Sequence, residues 1–469
     1  MNRVSLSGLV LVSVLGAQGC SPPVPTADAS RDDALVSDGA FTEDVGDLAT
    51  DATSDALGDT SMDVGSMGNG FEFVDRSPAM CPLSPALCAS EWPTTGAVER
   101  WRSRERFGAV MHDRTAWHYR PPASGTQPLP LVIFLHGGNG NGPKLFSRTF
   151  DELARGEEVA WRRNTATCAF EYGRMFRDRT GGVCVPPAVR YRGAEPFALL
   201  FPDGILSRST PIPDARHWED GRTPSPGQLQ DAESRDDVGF IAHLIAQAST
   251  RADVDPERIY LVGWSNGGMM TQRVLCALDE PGREPLRRIA AVSVGIAAMP
   301  ANLYDGAMGR MRCPRVSMFM PPVMFSLGRG IPTADCERYP CTQPVTDGDG
   351  IMPYAVMGER HRVNSPDQGM VVSVADSLGV FRAAMTAAYG APMPETQSML
   401  GTFTELRTLT FGVGTVALHT MVTVGGAHEA ASSRADFAPE PRQWAFLAGY
   451  RRRMGAIERR VGAAVTGEY

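Results

Sequence analysis

Lysine is almost missing from this chain: Lys144 stands alone against 44 arginines among the 45 Lys and Arg residues. That bias reads as the trace of a GC-rich genome and carries no functional signal. No apolar run reaches the roughly 20 residues a helix needs to cross a bilayer. No two cysteines have C-x-x-C spacing and no histidine stands at zinc-finger distance from one, so a structural metal site is not expected. No repeat period is visible. A basic surplus is lacking too. The net charge is −8, but residues 21–70 hold eleven acidic residues against Arg31, so they carry −10 and the remainder carries +2. A nearly neutral folded part offers nucleic acid no electrostatic footprint, and no nucleic-acid partner is expected.

What is present begins with a leader. Asn2 and Arg3 give a weakly positive start, and Val4 to Leu15 is mostly apolar. This stretch is too short to span a membrane and has the anatomy of a signal peptide, residues 1–20. It ends in Ala17-Gln18-Gly19-Cys20, which resembles the bacterial lipobox, although Ala17 and Gln18 stand where Leu and a small residue are usual. Cys20 is then the lipid attachment site, and the lipid is the chain's contact with a membrane. A plain secretory signal cut nearby is the alternative. Either way the protein is exported, anchored at the cell envelope or extracellular. Residues 21–70 are rich in Asp, Ala, Ser, Thr, Gly and Val with one aromatic, Phe41. They cannot bury enough apolar surface to offset their ordering entropy and read as a disordered acidic tether. Their aspartates lack the D-x-D-x-D-G order of a calcium loop.

Without Cys20 the nine cysteines become an even eight. In an oxidising compartment disulfides are the default. Proximity pairs Cys81 with Cys88, Cys168 with Cys184 and Cys336 with Cys341, and leaves Cys276 and Cys313.

From residue 71 to 469 the pattern changes to a globular one, read as one catalytic domain. Leu129 to Leu135, Phe197 to Phe201, Arg258 to Val262, Ile289 to Val294 and His419 to Val424 read as strands, and Val316 to Leu327 as one strand or two. Arg235 to Ser249, Asn266 to Leu278, Val372 to Ala388 and Arg442 to Met454 have helical spacing. Strands alternating with helices imply an α/β fold, a mostly parallel sheet with helices on both faces.

Two turns carry chemistry. The strand at Arg258 to Val262 runs into Gly263-Trp264-Ser265-Asn266-Gly267-Gly268 and then a helix. A G-x-S-x-G turn between strand and helix needs small flanking residues, exposes the serine hydroxyl and places it at a helix N-terminus, where developing negative charge is favoured. Ser265 is the candidate nucleophile. The strand at Leu131 to Leu135 leads to His136-Gly137-Gly138-Asn139-Gly140. Glycines there let backbone N–H groups approach a substrate oxygen. The candidate oxyanion donors are the N–H groups of Asn266 and of Gly138 or Asn139. His136 precedes the nucleophile, so it reads as structural.

With these segments placed, the chain resembles the secreted polyhydroxybutyrate depolymerase and feruloyl esterase family of α/β-hydrolases. The likeness lies in His136-Gly137-Gly138, Phe201-Pro202-Asp203-Gly204, Trp218, Asp236-Asp237-Val238-Gly239-Phe240, and Val254-Asp255-Pro256-Glu257-Arg258-Ile259-Tyr260 leading to Ser265. It covers about Trp117 to Tyr450, with insertions near Trp161 to Arg192 and Gly328 to Pro344. The resemblance implies a Cys276–Cys313 bridge and substrate-facing positions at Trp218 and Trp264.

In this fold the acid and then the histidine follow the nucleophile. Of the histidines at 112, 118, 136, 217, 243, 361, 419 and 428, the last three qualify. Gly425-Gly426-Ala427-His428 follows a strand and resembles the family's G-G-x-H, although Glu429-Ala430 stands where Trp and Pro are frequent. His419 falls inside that strand, and His361 is the runner-up. For the acid, Asp349 precedes Ile351-Met352-Pro353-Tyr354 as in the family, with Asp347 the alternative. The implied reaction is hydrolysis of a carboxylic ester through an acyl-enzyme, with no metal or organic cofactor. The expected substrate is a polyhydroxyalkanoate or its oligomers, with a feruloyl or acetyl ester on plant polysaccharide as the alternative. A non-catalytic binding protein on a hydrolase scaffold is the rival from another class.

Overall fold

The computed structural model describes residues 70–82, 88, 92–93, 96–107, 110–122, 127–138, 140–143, 154–155, 159–162, 188–191, 195–206, 215–220, 235–300, 303–305, 310–311, 313, 317–329, 361–362, 370–400, 404–412, 414–424 and 439–460. The leader 1–20 with Cys20, the tether up to residue 69, and Cys168, Cys184, Cys336 and Cys341 lie outside the described residues.

Eleven strands form one sheet: β1 (Phe71–Pro78), β2 (Ala97–Phe107), β3 (Val110–Arg120), β4 (Leu129–Leu135), β5 (Ala198–Pro202), β6 (Val254–Trp264), β7 (Ile289–Gly295), β8 (Val323–Arg329), β9 (Thr396–Met399), β10 (Thr404–Phe411) and β11 (Val416–Val424). The spatial order is β1-β2-β3-β5-β4-β6-β7-β8-β11-β10-β9. The six strands from β5 through β11 pair in parallel, while the strands outside them pair antiparallel. Every residue of β4, β5 and β7 is buried. Continuous apolar runs of this kind occur where both faces of a parallel sheet are covered.

Among the described residues the covering elements are α1 (Asp237–Ser249), α2 (Asn266–Cys276), α3 (Val374–Tyr389) and α4 (Pro439–Ala448). Alternation along β6 shows the two faces. A Cβ on Gly263 would meet the Gly267 carbonyl at 2.2 Å and Thr271 Oγ1 at 2.4 Å, so that face of β6 lies under α2. Tyr260 points the other way. Its ring meets Trp444 of α4, and its hydroxyl donates to the Tyr450 carbonyl at 2.8 Å. The chain therefore has the expected mostly parallel sheet with helices on both faces.

Three elements differ from the sequence expectation. The last helix does not reach Met454: it stops at Ala448, and Tyr450–Arg453 pairs with Ala456–Arg459 as a hairpin. The turn residues Met454 and Gly455 both have positive φ, 49° and 83°, the signature of a tight two-residue hairpin turn. The helix Asn266 to Leu278 ends at Cys276, and the strand near Val316 to Leu327 is Val323–Arg329. Disulfides join Cys81 to Cys88 and Cys276 to Cys313. Around the first insertion, Val159–Arg162 pairs with Ala188–Tyr191. Among the described residues no helix is long and apolar enough to cross a membrane.

Candidate active site

The parallel strands end at a common edge. Leu135 is level with Gly263, Trp264 with Gly295, Gly295 with Ser326, and Arg329 with Val424. The loops after β4, β6, β8 and β11 therefore leave from one side of the sheet. Strand order reverses between β4 and β6: from β4 the chain goes outward to β5 and then returns across β4 to β6. Such a switch point opens a crevice beyond the strand ends, where open α/β sheets bind their ligands.

Ser265 sits at that switch point. It follows β6 directly and has φ 53° and ψ −120°, a backbone state that an L-residue adopts only under strain. Two bonds hold it there: its N–H donates to the Gly295 carbonyl at 2.9 Å, and its carbonyl accepts from Met269 N–H at 2.9 Å. The glycines around it have no room for a side chain. A Cβ on Gly267 would stand 2.2 Å from the Leu135 carbonyl oxygen, and one on Gly268 would stand 2.7 Å from Ala297 Cβ. α2 can thus start against the end of β4, with its first N–H groups lacking intrahelical partners.

The glycine loop lies alongside. A Cβ on Gly137 would be 3.6 Å from Ser265 Cβ, and one on Gly138 would be 3.8 Å from Asn266 Cβ. The two expected sources of oxyanion donors, Gly138 and Asn266, are therefore neighbours. Asn139 lies outside the described residues. His136 is fully buried; its Nε2 accepts from Gly204 N–H at 3.0 Å, so its proton is on Nδ1, which donates to the Gly137 carbonyl at 2.7 Å. It is a brace of the loop, as its place in the chain implied. Asp203 braces the same loop, accepting from Gly142 N–H at 2.7 Å and from the Trp117 indole at 3.2 Å. Burial pushes the Asp203 carboxyl up, against the pull of Arg216. The Asp203-Gly204 pair is thus scaffolding for the glycine loop.

Trp218 is a correction. Expected on the substrate surface, it is 1% exposed. Its indole Nε1 donates to the His136 carbonyl at 2.9 Å and its ring lies tilted against the His136 ring, with centroids 4.9 Å apart. A large apolar ring with one polar atom is buried when that atom finds a partner, and here the partner lies under the loop. Trp264 is half-buried, edge-on to Phe134 at 5.3 Å, next to Ser265 in sequence.

Behind the loop lies a charged cluster that no local pattern announced. Arg114, 3% exposed, donates to Glu105 at 2.8 Å and to Asp237 at 2.5 Å. Asp236 caps α1 through Gly239 N–H at 2.8 Å and pairs with Arg283 at 2.5 Å. Glu219 is pushed up to about 7, chiefly by burial, with Asp237 and Asp220 adding to the effect and Arg273 opposing it. Among the described residues no group of three or more His, Cys, Asp or Glu could hold a metal ion.

Asp347, Asp349 and His428 lie outside the described residues. His419 is inside β11 and packs on Phe446 at 4.7 Å. The backbone at His361–Arg362 pairs with Met370–Val371.

Strand order, the strained serine between strand and helix, and the glycine loop at the switch point together define an α/β-hydrolase fold. No family model matches the chain. A stretch of 132 residues is 26% identical to the oxidized polyvinyl alcohol hydrolase of Sphingopyxis sp. (strain 113P3), covering 24% of this chain and 35% of that one. The match thus spans about a third of that relative's length. Among solved structures, an acetyl xylan esterase from Aspergillus awamori is similar at 14% identity and TM-score 0.37, covering 71% of this chain and 94% of that one. Acetyl Xylan Esterase 1 from Thermoanaerobacterium sp. JW/SL YS485 is similar at 12% identity and TM-score 0.28, over 55% of this chain and 72% of that one.

Proposed function

We propose that the chain is a serine hydrolase of carboxylic esters. One observation carries this reading: Ser265 is held at φ 53° at the strand–helix junction, directly beside the glycine loop that supplies the second oxyanion donor. Backbone strain of this kind clusters at functional sites. β11 ends at Val424, shortly before His428, and β8 ends at Arg329, on the way to Asp349. Both strands end at the edge that holds Ser265, and the chain order serine, acid, histidine is the one this fold uses. These three residues form the proposed triad.

Ser265 Oγ attacks the ester carbonyl carbon while its proton passes to His428. The carbonyl oxygen becomes an oxyanion facing the N–H groups of Asn266 and the glycine loop. The intermediate collapses, the ester C–O bond breaks, and the alcohol leaves with the proton from His428. Water then attacks the acyl-enzyme with His428 again as base, releasing the acid and restoring Ser265. Asp349 orients His428 and stabilises its charged form.

For the substrate, the motif resemblance supports a polyhydroxyalkanoate or its oligomers, with an acetyl or feruloyl ester of plant polysaccharide as the alternative. The two disulfides fit the exported, lipid-anchored location proposed from the leader. A fluorophosphonate probe followed by peptide mapping tests the chemistry, and a panel of hydroxybutyrate oligomers, methyl ferulate and acetylated xylan tests the substrate. Labelling at Ser265 with turnover of a panel ester is expected. Absence of both overturns the reading in favour of a binding protein.

A further inference from the structure

We infer that the segment Trp218–Asp220 is a strap that sets the spacing of the two oxyanion donors, with Trp218 and Asp220 as positioning residues. The inference rests on the hydrolase reading above and deepens it.

The residue after the nucleophile has its side chain turned toward this strap. Asn266 is 4% exposed. Its Oδ1 accepts from Trp218 N–H at 2.7 Å, and its Nδ2 donates to the Trp218 carbonyl at 3.1 Å and to Asp220 Oδ2 at 2.6 Å. The side-chain amide therefore pairs with the backbone of Trp218 much as a neighbouring strand would. Asp220, 2% exposed, adds a charge-assisted bond. The other half of the oxyanion hole is tied to the same residue, because the Trp218 indole donates to the carbonyl of His136, which begins the glycine loop. One residue thus grips both donor-bearing segments.

The strap is itself fixed from behind. Glu219 N–H donates to Asp237 Oδ2 at 2.7 Å, Asp237 is held by buried Arg114, and Arg273 of α2 donates to the Glu219 carbonyl. Movement of the strap would change the separation between the Asn266 N–H and the loop without touching Ser265 or a substrate pocket. Such a change weakens binding of the transition state and leaves ground-state binding nearly intact.

Charge makes the two explanations of a mutant separable. A carboxylate near a developing oxyanion disfavours it, so removing the charge of Asp220 through space alone would raise kcat. A fall in kcat therefore reports geometry.

The test compares the wild-type chain with Trp218→Phe, Asp220→Asn and Asp220→Ala. The readouts are kcat and KM on a short-chain p-nitrophenyl ester and the Ki of a trifluoromethyl ketone, whose adduct with Ser265 is a tetrahedral oxyanion. Removing an oxyanion donor outright costs about 100- to 1,000-fold, so displacing one should lower kcat by at least about tenfold, with KM within about twofold. The ketone should lose affinity by the same factor as kcat. Asp220→Asn, which keeps an acceptor, should be milder than Asp220→Ala. Unchanged kcat overturns the proposal, as does a fall in kcat with undiminished ketone affinity. If Asp220→Ala does not fold, the other two variants decide. A wild-type chain that neither turns over ester nor labels at Ser265 overturns the hydrolase reading and this one with it. An active wild-type chain with indifferent variants overturns this one alone.

Discussion

At the scale of single residues, the acid of the proposed triad gives the sharpest test. Asp349→Asn should leave the fold intact and lower kcat by orders of magnitude, because an amide in place of the carboxylate holds His428 in the wrong tautomer. Asp347→Asn should have a much smaller effect, since a turn aspartate contributes local hydrogen bonds. Steady-state kinetics on both variants checks this, and a reversed order would move the acid to Asp347. The place of Ser265 and the structural part of His136 were legible because each depends on position along the chain: one follows a strand and opens a helix, the other precedes Ser265. Trp218 was not legible in the same way. Its burial follows from meeting His136 and Asn266, residues 82 and 48 positions away. A tryptophan near a motif looks alike in sequence whether it faces a ligand or the back of a loop. The Glu105–Arg114–Asp237 cluster was missed for the same reason.

At the scale of elements, the junction of β4, β6 and α2 is the least forgiving part of the fold. Gly267→Ala would push a methyl group against the Leu135 and His136 carbonyls, at 2.2 and 2.5 Å, all of it backbone. The helix would have to withdraw from the end of β4, at a cost of about 3 kcal/mol or more, with loss of activity. Urea unfolding should show the drop in midpoint, and Gly379→Ala, in α3 with nothing within 4 Å, should show none. The parallel strands were readable because burial on both faces leaves an unbroken apolar run. β2 was not, since Glu99-Arg100-Trp101-Arg102-Ser103-Arg104-Glu105-Arg106 is dominated by charge. Its inward positions include Trp101, Ser103 and Glu105, each nearly fully buried. β9, exposed along its whole length, has no apolar face to read. The last helix was read too long because Tyr450, buried in the following hairpin, continues the apolar pattern past Gly449.

At the scale of the molecule, a chain beginning near Gly70 should fold and keep its activity, as the acidic segment before it has no hydrophobic period; circular dichroism and ester turnover check this. Stability should also depend on pH in two opposed ways. Burial lowers His243 from 6.5 to about 4, and burial with Arg459 and Arg442 does the same to His419. Both must be neutral in the folded state, so their contribution is complete above 6.5 and is lost as pH falls toward 4, by about 1.4 kcal/mol per unit for each proton taken up on unfolding. Glu219, raised to about 7, acts with the reverse sign: the folded state holds its proton longer, and stability falls as pH rises from 4.5 to 7. His243→Gln and His419→Gln should flatten the acid limb of a chemical-denaturation series, and Glu219→Gln should steepen it. The strained serine has a further effect on the whole molecule. Its φ of 53° suits glycine, so Ser265→Gly should raise stability by about 1 kcal/mol while ending the chemistry. Among descendants of this chain screened for survival of heat alone, the inert one would therefore outlast its parent, and directed evolution toward endurance would erase the proposed activity unless turnover were scored in every round.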